Sequence, residues 1–223
     1  RRRRRDRAGA RRGIPRHAPH QDRLPRPQPI ERPRPISAPI VEEDDDEVRL
    51  LLTGSVCLLL ALKAAGRGLF VDHRDLFRVV GAPWLWFSRL VMSDEALGAI
   101  IDHPSVELFE VRDGDAVVGM LELDRRVSGR CELSFVGLLP GYTGGGHGRW
   151  LLAEAVSRAW SGDTRFVHVH TCSLDHPAAL AAYRRAGFTP FARKVETFVD
   201  PRLAGILPRD SALHIPLLDP SPI

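Results

Sequence analysis

The residues best suited to chemistry crowd into residues 140–152, PGYTGGGHGRWLL, where five glycines, one threonine and one arginine fall within thirteen positions. An apolar run precedes this stretch and a helical pattern follows it. Glycine lets the backbone approach a bulky anion closely. The first N–H groups of the next helix have no intrahelical partner, and the positive end of the helix dipole lies among them. Strand, glycine loop and helix start together make an anion cradle of the kind that holds a phosphate.

Other side chains invite chemistry downstream and upstream of the loop. His168 and His170 place two imidazoles on one face of a strand, and Cys172 and His176 follow. Zinc sites use such types, but no carboxylate cluster supports them and the run leads into a loop. No metal is therefore expected, and His170 reads instead as a pocket histidine assisting a base. Trp84, Trp86 and Phe87 hold half of the chain's four tryptophans within four positions. Aromatics this dense plug a core or line a substrate cleft; both readings stay open, and the second makes them the wall of a substrate site.

The elements that must position these groups follow in order. Residues 75–80 read as helix, stopped by Gly81-Ala82-Pro83. Ser93 reads as an N-cap with Asp94 and Glu95 in the first turn of a helix running to about Asp102. Three strands are expected next, over 106–112, 116–123 and 130–138, with Asp113-Gly114-Asp115 as a hairpin turn and a loop over 125–129. After the glycine loop come a helix over 149–161 and a strand over 165–171. A helix over 178–185 follows, capped by Asp175 with Pro177 in its first turn and Gly187 at its end. A last strand is expected over 188–199, then an irregular tail over 201–223. An antiparallel meander before the loop counts against a dinucleotide site, which needs an early parallel βαβ unit and an acid at the next strand end.

Composition limits the rest. The chain has 223 residues, 43% hydrophobic and 27% charged, enough for one ordinary domain and some extra sequence. Its net charge of +4 is uneven: residues 1–47 hold thirteen arginines against nine acids, and basic and acidic residues balance at nineteen each thereafter. Residues 1–47, Arg- and Pro-rich and then acidic, read as a disordered extension that buries too little apolar surface to offset its ordering entropy. It reads as a passenger rather than a nucleic-acid-binding arm. The apolar run over 50–62 is thirteen residues between Arg49 and Lys63. A transmembrane helix needs about twenty, so the run reads as a buried helix or strand. Cys57, Cys131 and Cys172 form no CxxC pair, which suits a reducing cytoplasm.

Taken in order, Leu138-Leu139-Pro140, Thr143-Gly144-Gly145-Gly146-His147-Gly148, a helix, a strand, and Ala179-Leu180-Ala181-Ala182-Tyr183-Arg184-Arg185-Ala186-Gly187-Phe188 resemble the GCN5-related N-acetyltransferases, and a bacterial subgroup of unassigned substrate among them. The family pattern is Gln/Arg-x-x-Gly-x-Gly/Ala at the loop and Tyr-x-x-x-Gly-Phe at the downstream helix. The resemblance is clear from about residue 72 within a domain spanning 48–200. It departs at Thr143, where the family has Gln or Arg, at His176, where many members have Asn, and over 50–70, which fits the first strand and helix poorly.

The resemblance implies an α/β (α+β) fold with a mixed, mostly antiparallel central sheet flanked by helices. It also implies acetyl-CoA as donor and an amine of a small molecule or protein as acceptor. The implied cofactor residues are Leu138, Leu139, Thr143, Gly144, Gly145, Gly146, His147, Gly148, Arg149 and His176, with Arg149 supplying the charge absent at Thr143. Family members splay the sheet at this point and seat the thioester between two parallel strands. Tyr183 matches the family tyrosine near the cofactor sulfur and is the expected general acid. Glu132, six residues before Leu138, is the expected base, directly or through water, with Glu122 and Asp124 as alternatives. A non-catalytic acyl-CoA-binding or regulatory module on the same fold is the second reading. The acceptor and the oligomeric state, a homodimer included, stay open, and no membrane or nucleic-acid partner is expected.

Overall fold

The structure, a computed structural model, describes residues 48–49, 60–64 and 70–219, with side chains from His73 onward. The extension over 1–47 and most of the apolar run over 50–62 lie outside the described residues. Residues 60–62 of that run belong to a strand that continues to Ala64.

Among the described residues, six strands form one sheet in chain order: β1 (Val48–Arg49), β2 (Leu60–Ala64), β3 (Val106–Asp113), β4 (Ala116–Asp124), β5 (Arg130–Leu138) and β6 (Phe166–Val169). The first five pair antiparallel and only β5 and β6 run parallel. The described residues also form four α-helices: α1 (Phe70–Gly81), α2 (Asp94–Ile101), α3 (His147–Ala159) and α4 (Ala179–Arg185). This is the mixed, mostly antiparallel sheet flanked by helices that the sequence predicts.

Both faces of the central strand are covered, which is why β4 reads as a nearly continuous apolar run. On one face Leu121, Leu123, Cys131, Leu133 and Val167 pack with Trp150, Leu151, Leu152, Ala155 and Ala159 of α3. Those α3 positions recur at helical spacing and form one stripe. On the other face Met120 packs with Phe77 and Val80 of α1, and Trp86, Leu90 and Phe135 close over them. The approach at Gly137 needs glycine, since a Cβ there would lie 2.5 Å from a Val80 methyl.

The link between α1 and α2 is tied down by one side chain. Arg74 donates to the carbonyls of Arg89 and Met92 and to the carboxylate of Asp94. Ser93 caps α2 as expected, its hydroxyl oxygen accepting from Ala96 N–H at 3.1 Å.

Four expectations need correction. Helix α3 begins at His147, two residues before the predicted start. Strand β6 ends at Val169, so His170 and Thr171 lie past it. Asp175 does not cap α4, whose N-cap is Ala178 with no side-chain bond; Asp175 is engaged elsewhere. Residues 188–199 form no strand. Pro190 lacks an N–H for a ladder. Phe191 and Phe198 are instead drawn separately to Phe166 and Phe87, at 5.8 and 5.1 Å between ring centres. The tail beyond residue 200 has no helix or strand among its described residues, yet it is anchored. Buried Arg202 donates to Asp200 and to the carbonyls of Ser211, Ile215 and Pro216. Leu207 and Ala212 of this knot pack on Leu85 of the α1–α2 link.

Candidate active site

The glycine loop leaves β5 through a 3-10 turn, Pro140–Tyr142, and enters α3. Gly144, Gly145 and Gly146 take φ of 92, 55 and 93° in succession. For side chains with a Cβ, left-handed backbone costs about 1–2 kcal/mol per residue, so a run of three fixes the composition of the loop. The helix start is partly satisfied from within: His147 N–H donates to Gly144 and Arg149 N–H to Gly146. The N–H groups of Gly144, Gly145, Gly146 and Gly148 find no backbone acceptor among the described residues. The Arg149 guanidinium stands over Gly146, 4.0 Å from where a Cβ would lie. Thr143 folds back on its own loop, its hydroxyl donating to the Pro140 carbonyl at 2.7 Å. His147 Nδ1 meets the Tyr142 carbonyl at 3.2 Å, and since a carbonyl only accepts, Nδ1 bears the proton. The cradle therefore consists of four amides without a backbone acceptor and one cation.

Next to the loop the sheet opens. β5 pairs with β6 only from Arg130 to Leu133, although β5 continues to Leu138. A bulge begins the divergence: Glu122 faces Phe135 and Leu123 faces Leu133, so Ser134 is the extra residue. Leu139 N–H donates to Val118, so the alternate residues Leu138 and Val136 turn their N–H and C=O groups to the open edge. An extended amide-bearing chain fits such an edge as a further strand would.

Glu132 sits just below this fork. It faces His168 across the parallel ladder, and its Oε1 lies 2.8 Å from His170 Nδ1. The second oxygen is 3.6 Å from His168 Nε2. Burial by itself would raise the Glu132 pKa. The contacts from His168 and His170 together outweigh burial and hold it well below the usual carboxylate range. In return, the bond to Glu132 raises His170 above its ordinary value. These three side chains share the sheet face opposite α3, because the intervening Leu133 and Val167 enter the α3 core. The alternatives on β4 are otherwise engaged. Glu122 is fully buried against Arg89, and Asp124 is forked to Arg126.

Tyr183 lies on α4, packed on the α3 core and on Phe188. Burial chiefly, with the charge of Asp175, pushes its hydroxyl up to about 12, so it stays protonated at neutral pH. Asp175 ties the approach to α4. One oxygen accepts from the Thr171 hydroxyl and the Cys172 N–H, both at 2.9 Å, and the other from the Trp86 indole at 3.3 Å. His176 Nδ1 accepts from Ala178 N–H at 3.1 Å, leaving Nε2 as the protonated nitrogen. A hydrogen-bond donor thus stands at the start of the approach to α4.

The aromatic trio divides. Trp86 joins the α1-side core with Phe77 and Phe135, at 5.7 and 5.1 Å between ring centres. Trp84 stands between His176 and His214, and Phe87 against Phe198. Sequence reasoning missed Arg89, Arg202 and the hub role of Asp175. Only Asp175 had a local signal, the spacing Thr171-x-x-x-Asp175 that permits a hydroxyl–carboxylate turn. No group of three or more His, Cys, Asp and Glu able to hold a metal occurs among the described residues. No described helix is long and apolar enough to cross a membrane.

Comparison with known proteins agrees with this geometry. The profile of the Acetyltransferase (GNAT) family matches residues 73–188. No curated protein sequence matches the chain. Solved structures resemble it at low identity. An aminoglycoside acetyltransferase, meta-AAC0020, from an uncultured soil metagenomic sample, is 15% identical over 63% of this chain and 95% of its own, with a TM-score of 0.49. The GNAT family protein SP0256 of Streptococcus pneumoniae is 21% identical over 63% and 97%, with a TM-score of 0.46. The IAA acetyltransferase of Bacillus cereus is 17% identical over 60% and 79%, with a TM-score of 0.47. A family profile spanning more than half of the chain, on a strand–glycine loop–helix beside a forked sheet, establishes the membership: the chain belongs to the GNAT family of acetyltransferases.

Proposed function

We propose that the protein is an acetyl-CoA-dependent N-acetyltransferase acting on an amine of a small molecule or a protein. The observation that carries the reading is the junction of two features: four loop amides without a backbone acceptor, next to a strand edge that its parallel neighbour has left. Gly145, Gly146 and Gly148, with Arg149, would hold the pyrophosphate, while Thr143 and His147 hold the loop shape. Leu138, Leu139 and the edge of β5 would receive the pantetheine chain, and His176 would donate to it. The Gly144–Gly146 backbone cannot be reproduced by other residues without strain, and space is open where a Cβ of Gly144 or Gly148 would lie, so the cradle fits a phosphate group. When bound, acetyl-CoA supplies an activated acyl carbon with a thiolate leaving group.

The chain's own residues then have distinct tasks. An amine must be neutral to attack, so a base must take its proton. Glu132 centres that function, on the sheet face that the α1–α2 link borders. The leaving sulfur needs a proton, and Tyr183, kept protonated by burial, donates it. Trp84 and Phe87 are proposed to border the acceptor, with Trp86 holding the link that presents them. Free thiols at Cys131 and Cys172 are in keeping with a cytoplasmic protein.

The test is acetyl-CoA titration by calorimetry beside thiol release with a panel of spermidine, a lysine peptide and an amino sugar. Saturable binding with thiol release in the presence of at least one amine is expected. Binding without release would favour a non-catalytic acyl-CoA module on this fold. No binding would end the cofactor reading.

A further inference from the structure

We infer that His170 Nε2 is the atom that takes the proton of the acceptor amine, and that Glu132 acts through it as a positioning residue rather than as the base itself. This rests on the acetyltransferase reading and deepens it. Glu132 Oε1 and His170 Nδ1 are 2.8 Å apart. A carboxylate only accepts, so Nδ1 bears the proton and the neutral ring presents its lone pair at Nε2. The ring is 82% exposed, whereas Glu132 is 31% exposed and engaged by two imidazoles. An incoming ammonium therefore meets imidazole before carboxylate.

Position supports the same assignment. His170 is the first residue after β6, directly following Val169, whose pairing with Leu133 is the last before β5 and β6 part. Its side chain shares the sheet face of Glu132 and Phe135, away from α3. That face is also bordered by the α1–α2 link. Four charged or titratable groups bear on the ring: Glu132 from β5, His168 from β6, and Lys194 and Glu196 from the segment after α4. The two carboxylates favour its protonated form and Lys194 opposes it. A carboxylate held far below its ordinary range is a weak base, and an imidazole raised by it is the better match to a proton near neutral pH.

The proton balance is simple. The ammonium nitrogen gives one proton to His170 Nε2, which passes it to solvent. The nitrogen–carbon bond forms as the carbon–sulfur bond breaks, and the nitrogen gives its second proton to solvent. Tyr183 donates its hydroxyl proton to the sulfur and regains one from solvent. The net products are the amide, the thiol and one proton.

The test uses the full chain with acetyl-CoA and whichever of spermidine, a lysine peptide or an amino sugar releases thiol. His170→Gln is expected to lower kcat/KM about 100-fold with the acetyl-CoA dissociation constant unchanged. Glu132→Gln is expected to move the rising limb of the wild-type pH profile to lower pH, since the ring loses its carboxylate. The same shift is expected for the His170 Cε1–H resonance titrated by NMR. Wild-type turnover in His170→Gln would overturn the assignment while leaving acetyl transfer intact. So would an unmoved His170 titration in Glu132→Gln. Absence of thiol release by the wild-type protein with every amine would instead remove the acetyltransferase reading, and the base with it.

Discussion

Arg89 and Glu122 stand 33 residues apart in sequence and meet at 2.5 Å, Nη2 to Oε1, in the interior beside the α1–α2 link. Glu122 is wholly buried and Arg89 is 8% exposed. Arg89 also lies over the Phe135 ring at 5.0 Å. Burial raises the Glu122 pKa despite the neighbouring guanidinium. The pair fixes the link that carries Trp84, Trp86 and Phe87 to the centre of the sheet, which makes it a structural anchor and not a base.

Removing one partner of such a pair strands a charge. Arg89→Met is expected to lower unfolding stability by about 3–5 kcal/mol at neutral pH, read from urea unfolding. The loss should shrink as pH falls, because the stranded carboxyl takes up a proton. The double variant Arg89→Met, Glu122→Leu should recover most of the loss. A single variant as stable as the wild type would show that the pair adds nothing.

His73 predicts a different pH response. Burial first, then the charges of Arg89 and Arg74, lower its pKa from 6.5 to about 4. The folded protein keeps the ring neutral where the unfolded chain is protonated. Stability is therefore full above about pH 6.5 and is lost as pH falls toward 4, by about 3 kcal/mol for this shift. Its Nε2 is buried without a hydrogen-bond partner among the described residues, so no bond at that nitrogen opposes replacement. In urea unfolding between pH 7 and 4.5, His73→Leu should show a shallower decline than the wild type. Parallel declines would remove the role of His73.

Gly144 isolates backbone conformation from side-chain space. Its φ is 92°, and nothing lies within 4 Å of the point where a methyl group would stand. Gly144→Ala should cost about 1–2 kcal/mol of loop conformation and weaken acetyl-CoA binding roughly tenfold, the 1.4 kcal/mol equivalent. Calorimetric titration with acetyl-CoA measures it. Unchanged affinity would mean that the loop conformation does not serve the cofactor.

These residues also show what could be read in advance. The glycine loop is consecutive in sequence, so its backbone needs were visible in composition. The β3–β4–β5 meander was visible because each turn is short and its strands are neighbours. Arg89 with Glu122, and Arg202 with the carbonyls of residues 211–216, depend on long-range placement that no local pattern encodes. The segment over 188–199 had strand-like composition, but a strand also needs a free edge in register. Its phenylalanines found ring partners instead. Asp175 before Pro177 looked like a helix cap, yet Thr171, Cys172 and Trp86 supplied three donors where a cap would have had one. Glu132 and an assisting His170 could both be named in advance, whereas the bond between them could be seen only once β6 lay beside β5.

Tyr183 offers the sharpest test of the acid role. It packs on the α3 core through its ring, and a phenylalanine keeps that packing. Tyr183→Phe should leave the fold and acetyl-CoA affinity close to wild type while lowering kcat at least about 100-fold, the usual contribution of a positioned acid. Raising the pH should not rescue the variant, since the missing group is a proton donor. In the wild type, the hydroxyl remains protonated up to about pH 12, so its ionisation should not shape the profile between about pH 6 and 9. Asp175→Asn removes the charge that adds to that shift while keeping acceptor capacity toward Thr171. It should lower the Tyr183 pKa, read by ultraviolet titration of the phenol, with a smaller loss of kcat than Tyr183→Phe. Equal turnover in Tyr183→Phe and wild type across that range would assign sulfur protonation to another group or to water.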